Sequence, residues 1–169
     1  MTTLKRQEGF QTLIEEHKKI LYKVGHAYCR NQDDREDLVQ EIILHLWRSM
    51  GTFDGRSRFS TWMYRIALNI AISFCRRESA RTRNVLANEE HLLNTMDETE
   101  SQPEEIVLLY QFIAGLDPLD KALVLLYLDG NSYQEVADVL GISATNVATK
   151  LSRLKKTMKQ EFCETQQEG

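Results

Sequence analysis

The stretch of sequence that decides the fold lies near the C-terminus, where residues 132–147 read SYQEVADVLGISATNV. Ser132 and Glu135 have the spacing of a capping box, in which two side chains satisfy backbone amides that lack a partner in the first turn of a helix. Gly141 can take positive φ without strain, and Ser143 follows it as a second helix cap. The sequence therefore predicts two helices joined by a tight turn, which is the arrangement of a helix-turn-helix.

The second of these helices is predicted to run from Ser143 to about Gln160, and its two faces differ. Its apolar residues follow the i, i+4, i+7, i+11 spacing of one buried stripe, namely Val147, Leu151, Leu154 and Met158. The opposite face carries hydroxyls, an amide and cations but no acidic residue, namely Thr145, Asn146, Thr149, Ser152, Arg153 and Lys156. Such a face suits contacts with base edges and phosphates in a DNA major groove. The alternative interpretation is an ordinary solvated helix of a bundle.

The rest of the chain is also predicted to be helical. Gly and Pro number only 8 and 2 among 169 residues, which disfavours turn-dense β folds. Apolar periodicity predicts helices over 10–30, 34–50, 60–77, 106–114 and 118–129, the last capped by Asp117 with Pro118 at its first position. We find no membrane span or signal peptide in the sequence, and the three cysteines are scattered. We therefore expect an all-α protein of the cytoplasm.

The net charge of −4, taken alone, argues against a nucleic-acid-binding protein. The charges are unevenly distributed, however, because residues 1–83 contain 15 cationic and 10 acidic side chains, and residues 106–169 contain 6 and 8. Residues 84–105 contain 7 acidic side chains, no cationic ones and no sustained apolar period, which is typical of a linker. We predict a first domain over 1–83, a flexible acidic linker over 84–104, a second domain over 105–162 and a tail over 163–169. A short solvated helix around Leu92 and Leu93 is the alternative for part of the linker.

The segment at 53–83 combines arginines with aromatic residues. It contains seven arginines and two acidic residues, interleaved with Phe, Trp and Tyr side chains. Melted DNA binds such segments, because cations contact its phosphates and aromatic rings stack on its exposed bases. Helical spacing places Trp62 at least partly in the core, whereas we expect Arg58, Tyr64 and Asn69 to face solvent.

The helix predicted over 34–50 has an apolar residue within its polar face. Leu44 stands there among Asp37, Gln40 and Glu41, while apolar residues fill the other side. Such a residue is a modest indication of a protein contact. Alone it is weak, since single exposed leucines are common.

These motifs together resemble the extracytoplasmic-function (ECF) sigma factors of bacterial RNA polymerase. DLVQEI at 37–42 and FSTWMYRIALNIAI at 59–72 are similar to their region 2, and IAGLD at 113–117 with the helix-turn-helix is similar to their region 4. The resemblance covers about residues 8–160. It implies two small helical domains and a transcription initiation factor that is not an enzyme and uses no cofactor or metal.

The resemblance also implies a role for each motif. Core RNA polymerase would bind through its β′ clamp to Asp37, Gln40, Glu41 and Leu44. The −10 promoter element would be recognised and melted by Arg58, Phe59, Ser60, Thr61, Trp62, Tyr64, Arg65, Asn69, Arg76 and Arg77. The −35 element would be bound as duplex DNA by Ser143, Asn146, Thr149, Ser152 and Arg153, with Lys150, Lys155 and Lys156 on phosphates. The polymerase β flap and an anti-sigma factor are the other implied partners, and the acidic linker would thread the RNA exit path.

Three other functions remain as alternatives. An enzyme is disfavoured because the histidines do not pair with carboxylates or cysteines at catalytic or metal-site spacing, and His26 with Cys29 is only a lone pair of ligands. A two-domain helix-turn-helix regulator would bind duplex DNA without polymerase. A sigma mimic would sequester an anti-sigma factor without binding a promoter, and it is kept open by Ala148, where many sigma factors carry a basic residue.

Overall fold

The computed structural model of the chain describes residues 3–85 and 103–167. Within those ranges it contains eight α-helices, one short 3-10 turn and no strand. The helices are α1 (Thr3–Glu16), α2 (Lys18–Tyr28), α3 (Gln32–Ser49), α4 (Phe59–Val85), α5 (Glu104–Ala114), α6 (Pro118–Leu128), α7 (Tyr133–Leu140) and α8 (Ala144–Gln167). The all-α prediction is confirmed, whereas the predicted linker lies almost entirely outside the described residues.

The described residues form two compact units that divide near residue 82. In the first unit α2 packs on α3. Leu38, Ile42 and Leu46 recur at every fourth position of α3, and all three are fully buried, as are Met63 and Ala67 of α4. Apolar burial at helical spacing is the main favourable contribution to the stability of such a unit. None of the described helices is both long enough and apolar enough to cross a membrane.

The single helix predicted over 10–30 is wrong, because the structure has two helices that meet at His17. His17 leaves the helical region with φ −113° and ψ 14°. Its Nδ1 lies 3.0 Å from the carbonyl oxygen of Leu13, and its ring centroid lies 5.0 Å from that of Phe59. Tertiary contact with a distant residue therefore accompanies the break, and neither Gly nor Pro marks it in the sequence.

His26 connects α2 to the start of α3 through Arg35. One guanidinium nitrogen of Arg35 lies 2.9 Å from His26 Nε2, and the other donates to the carbonyl oxygen of Arg30 at 2.9 Å. His26 Nδ1 lies 2.9 Å from the carbonyl oxygen of Tyr22, and the two rings stack with centroids 3.9 Å apart. An imidazole that donates from Nδ1 and accepts at Nε2 is neutral. Burial lowers the pKa of His26, and the nearby Arg35 charge lowers it further. The hydrogen bond with the Tyr22 carbonyl group opposes this shift.

The helix caps predicted in the second unit are confirmed. The Asp117 side chain accepts from the amides of Leu119 and Asp120 at 3.1 and 3.0 Å, with Pro118 in the first turn. Ser132 and Glu135 form both hydrogen bonds of the capping box, at 3.2 and 2.7 Å.

The turn of the helix-turn-helix also has the predicted geometry. Gly141 is left-handed with φ 69°. Ser143 Oγ accepts from the amide of Asn146 at 3.1 Å at the start of α8. Val136 and Ala137 of α7 are buried, as are Val147 and Leu151 of α8. α8 extends seven residues beyond the predicted end at about Gln160, into the segment predicted as a tail.

The neutral state of His26 predicts a loss of stability in mild acid. Its pKa is lowered from the ordinary value of 6.5, so below that pH the unfolded chain takes up a proton that the folded chain resists. Its stabilising contribution is complete above pH 6.5 and is lost as the pH falls through and below that value. In His26→Gln, whose amide is neutral and can still accept from Arg35, we expect the free energy of unfolding to fall less between about pH 7.5 and 5.5. Urea denaturation followed by circular dichroism measures this, and parallel pH profiles for the two proteins would contradict it.

Candidate nucleic-acid and protein interfaces

The outer face of α8 is exposed as a continuous surface. Its residues are Thr145, Asn146, Thr149, Ser152, Arg153 and Lys156, and all six are exposed. On the opposite side Val147 and Leu151 are buried to 0% and 1% exposure. The Thr149 hydroxyl donates a hydrogen bond to the carbonyl oxygen of Thr145 at 3.0 Å, so its oxygen remains available as an acceptor. The arrangement can present hydrogen-bonding groups and two cations to one partner without an intervening carboxylate.

Lys150, predicted to bind a phosphate, contacts α6 in the structure. Its Nζ lies 3.5 Å from Oδ1 of Asp120, and the two side chains are 32% and 21% exposed. That oxygen is buried and accepts no hydrogen bond within the part of the chain that the structure describes. Burial raises the pKa of Asp120, the Asp117 charge adds to this rise, and Lys150 opposes it.

Lys155, also predicted to bind a phosphate, lies over an aromatic ring at the other end of α6. Its Nζ is 4.2 Å from the centroid of Tyr127, and the Tyr127 and Tyr133 rings are 6.5 Å apart. A hydrogen bond with Tyr127 raises the pKa of Lys155. Both lysines therefore have partners within their own unit, which the sequence did not reveal.

The residues predicted to bind the −10 element fall into three groups in the structure. Those exposed are Arg58, Arg65, Asn69, Arg76 and Arg77, those half-buried are Phe59, Ser60 and Trp62, and those buried are Thr61 and Tyr64. Arg65, Asn69 and Arg76 recur at i, i+4, i+11 and so follow one line along α4. Trp62 packs against Phe53 and Phe59, with ring centroids 5.3 and 5.4 Å away.

Tyr64 was predicted to face solvent, and this is wrong. It is 1% exposed and lies in the core with Met63, Ala67 and Leu68. At 100° per residue Tyr64 falls in the middle of the arc formed by these apolar positions. The aromatic composition of the segment favoured a stacking surface, whereas the helical period already placed Tyr64 inside.

On the polar face of α3, Asp37, Gln40 and Leu44 are exposed and Glu41 is half-buried, and the structure adds a groove beside this face. Leu44 is 45% exposed, and it borders a groove of about 510 Å³ that Phe10 of α1 and Trp47 of α3 also line. The rings of Phe10 and Trp47 meet edge to face with centroids 5.1 Å apart. Sequence analysis missed the contribution of α1, because apolar periodicity does not say which helix lies alongside.

An ion pair joins the α3 face to α4. Nη2 of Arg77 donates to both carboxylate oxygens of Glu41 at 3.1 Å, and the arginine also lies over the ring of Phe74 at 5.7 Å. The side chains of Arg77 and Glu41 are 60% and 33% exposed. A residue predicted to bind polymerase and one predicted to bind DNA therefore contact each other.

These features define a class of protein, namely an all-α protein of two units with, in the second, a helix-turn-helix, a motif that many DNA-binding proteins use. No cluster of three or more metal-binding side chains occurs in residues 3–85 and 103–167. Comparison with known families matches residues 13–81 to sigma-70 region 2 and residues 106–158 to sigma-70 region 4.

Individual relatives agree with the family matches. The chain is 26% identical over 164 residues to the ECF RNA polymerase sigma factor SigX of Bacillus subtilis (strain 168), over 92% of this chain and 84% of SigX. It is equally identical, 26% over 164 residues, to the ECF RNA polymerase sigma-E factor of Escherichia coli (strain K12), over 90% and 85% of the two chains. The chain belongs to the extracytoplasmic-function sigma factors of the sigma-70 family. It is a non-catalytic sigma factor of RNA polymerase that acts in promoter-specific initiation of transcription.

Solved structures show the same fold. The sigma factor RpoE from Bartonella quintana, in complex with the anti-sigma factor NepR, matches with a TM-score of 0.74 at 16% identity, over 90% of this chain and 96% of that one. CnrH, in complex with the cytosolic domain of CnrY, matches with a TM-score of 0.66 at 23% identity, over 94% and 90%.

The burial of Tyr64 beside the exposure of Arg65 predicts effects of very different size for two neighbouring substitutions. We expect Tyr64→Ala to lower the free energy of unfolding by about 3–5 kcal/mol, as for other large aromatic side chains removed from a core. Arg65→Ala is expected to change it by no more than about 1 kcal/mol, as for other exposed charged side chains. Denaturant unfolding of both variants measures this, and equal effects would contradict the assignment of Tyr64 to the core.

Proposed function

We propose that this sigma factor binds core RNA polymerase through the exposed face of α3, engages the −10 element with α4 and reads the −35 element with α8. The observation that carries the proposal is the outer face of α8. It presents exposed hydrogen-bonding and cationic groups without a carboxylate, and the buried stripe behind it fixes which side of the helix is outward. The proposed domains are those predicted from the sequence, over 1–83 and 105–162.

For the −35 element, the proposed readers of base edges are Asn146, Thr149, Ser152 and Arg153. Arginine and asparagine make bidentate contacts with guanine and adenine in the major groove, and hydroxyls contact either base. Ser143 lies at the N-terminus of α8, where backbone amides favour an approaching phosphate. Lys156 is the proposed phosphate contact on the same face.

For the −10 element, the proposed surface is the exposed line of Arg65, Asn69 and Arg76 together with Arg58 and Arg77. Cations along one line of a helix can follow a strand of phosphates. Phe59, Ser60 and Trp62 are half-buried at the start of α4, where part of each side chain remains available for an unstacked base. Thr61 and Tyr64 act in this proposal only through the packing of α4.

For core polymerase, the proposed surface consists of Asp37, Gln40, Glu41 and Leu44. The exposed leucine and the groove beside it provide an apolar centre, and the surrounding polar residues provide a rim, which is the usual composition of a protein interface. The β′ clamp is the proposed partner of this surface, and the β flap is a further proposed polymerase contact of the chain.

An anti-sigma factor is a further proposed partner. RpoE, which shares the fold, was solved in complex with the anti-sigma factor NepR, and CnrH, which also shares it, was solved in complex with the cytosolic domain of CnrY. We place the protein in the cytoplasm because its proposed partner, RNA polymerase, acts there.

A helix-turn-helix regulator remains the second candidate, because the α8 face alone could bind duplex DNA. A gel shift with and without core polymerase separates the two functions. The probe is a promoter duplex that the holoenzyme itself selects from random sequence. A sigma factor is expected to shift the probe only in the presence of core enzyme, whereas tight binding by the free chain would favour the regulator.

The core-binding surface predicts the behaviour of a double variant. Asp37→Arg with Leu44→Glu reverses one charge and places another in the apolar centre, so we expect at least a tenfold loss of affinity for core enzyme, about 1.4 kcal/mol or more. Glu16→Arg changes an exposed acid on α1 and serves as the control, with affinity expected to stay within about twofold. Fluorescence anisotropy of the labelled chain titrated with core enzyme measures both. Wild-type affinity in the double variant would refute this surface.

The −35 proposal predicts the behaviour of Arg153. Arg153→Ala in the holoenzyme is expected to weaken promoter binding by about 1–3 kcal/mol and to relax preference at one −35 base pair. Lys159→Ala, which removes an exposed cation farther along α8, is the control and should leave base preference unchanged. Competition binding with single base-pair changes across the −35 element measures both effects. Unchanged base preference in Arg153→Ala would exclude it as a direct reader.

A further inference from the structure

We propose that Lys150 and Lys155 are positioning residues. Their contacts with α6 fix the orientation of α8 about its own axis, and neither lysine binds a DNA phosphate. This inference rests on the proposed function, in which α8 reads duplex DNA. It revises the role that the sequence and the family resemblance indicated for these two lysines.

Lys150 contacts the first turn of α6. Its ammonium lies 3.5 Å from Oδ1 of Asp120, in the first turn of α6. This oxygen is buried without a hydrogen-bond donor within the described residues, so the Lys150 charge offsets the cost of its burial. Moving Lys150 out to a phosphate would leave that carboxylate oxygen buried without its cation, which opposes the movement.

Lys155 contacts the last turn of α6. Its ammonium lies 4.2 Å from the centroid of Tyr127, within the range of a cation–π contact. Tyr127 is in the last turn of α6, two helical turns beyond Asp120. The two lysines therefore contact the same helix at its opposite ends.

The position of the lysines on α8 gives these contacts their effect. With 3.6 residues per turn, Lys150 and Lys155 are about 140° apart around the axis, one on each edge of the buried stripe of Val147 and Leu151. A rotation of α8 in either direction would stretch one of the two contacts. The outer face with Arg153 would rotate by the same angle, and base-reading side chains require placement within about 0.5 Å.

The two roles predict opposite effects of changing the partners on α6, which lie on the side of α8 away from the proposed DNA face. If Lys150 binds a phosphate, Asp120→Asn removes a competing carboxylate, and DNA binding should tighten or stay unchanged. If Lys150 positions α8, the same substitution weakens its anchor and lowers discrimination between correct and incorrect −35 sequences. Tyr127→Leu makes the same distinction for Lys155.

The experiment measures holoenzyme binding to two duplexes, namely the promoter that the wild-type holoenzyme selects and the same promoter with its −35 element scrambled. We expect discrimination between them to fall about two- to fivefold in Asp120→Asn and in Tyr127→Leu, the size expected for the loss of one partly exposed ion pair or one cation–π contact. Denaturant unfolding of each variant, analysed for the second unit, confirms that the helix-turn-helix is folded at the assay temperature.

Salt dependence gives a second and independent readout. The slope, taken as the steepness with which log affinity falls as log salt concentration rises, decreases by about 0.9 for each phosphate contact that is lost. We expect Lys150→Gln and Lys155→Gln to keep the wild-type slope while losing discrimination. Lys156→Gln is the matched control on the outer face, and its slope is expected to fall by about 0.9.

Each outcome decides one point. A slope lowered by about 0.9 in Lys150→Gln or Lys155→Gln would overturn the positioning role of that lysine. So would unchanged or improved discrimination in the corresponding α6 variant. A wild-type holoenzyme that does not discriminate the −35 sequences at all would instead overturn reading by α8, and the positioning role with it.

Discussion

The turn at Gly141 is the constraint on which the arrangement of the second unit depends. Its φ of 69° ends α7 and lets the chain change direction before α8 begins. α8 then packs on α6 and α7 and buries Val147 and Leu151. A Cβ at this position would meet no atom within 4 Å, so glycine is required by the backbone conformation and not by lack of space. A side chain there would strain the backbone by roughly 1–2 kcal/mol. This strain would offset part of the stabilisation that comes from burying the apolar stripe of α8. Because that stripe can face only inward, the turn also determines which residues α8 exposes.

Net charge describes this molecule poorly, because charge is separated along the chain. Residues 1–83 have a cationic excess, whereas the block at 84–105 is purely acidic and makes the total −4. Non-specific DNA binding is driven by cations that replace counterions on phosphates. An acidic total weakens it for the whole chain, while the outer face of α8 remains free of carboxylates and suited to one short stretch of duplex.

Sequence predicted what is determined locally and missed what is determined by distant contacts. The caps at Asp117 and Ser132 were correct because a cap involves residues three positions apart. The break at His17 was missed because its ring packs on Phe59, and the partners of Lys150 and Lys155 were missed because they lie about 30 residues away. Tyr64 was placed wrongly for another reason, since composition was weighed above the helical period that placed it in the core.

The contact between Glu41 and Arg77 shows why the two faces of the first unit cannot be treated as independent. With side chains 33% and 60% exposed, such a pair contributes only about 0–1 kcal/mol, so a partner that binds either residue can break it at little cost. A protein that binds Glu41 and breaks the ion pair makes Arg77 more available to a second ligand. Because linkage is reciprocal, that ligand raises the affinity for the protein by the same factor as the protein raises the affinity for the ligand. Substitutions of Glu41 and Arg77 are therefore expected to be non-additive in any assay that includes both polymerase and DNA.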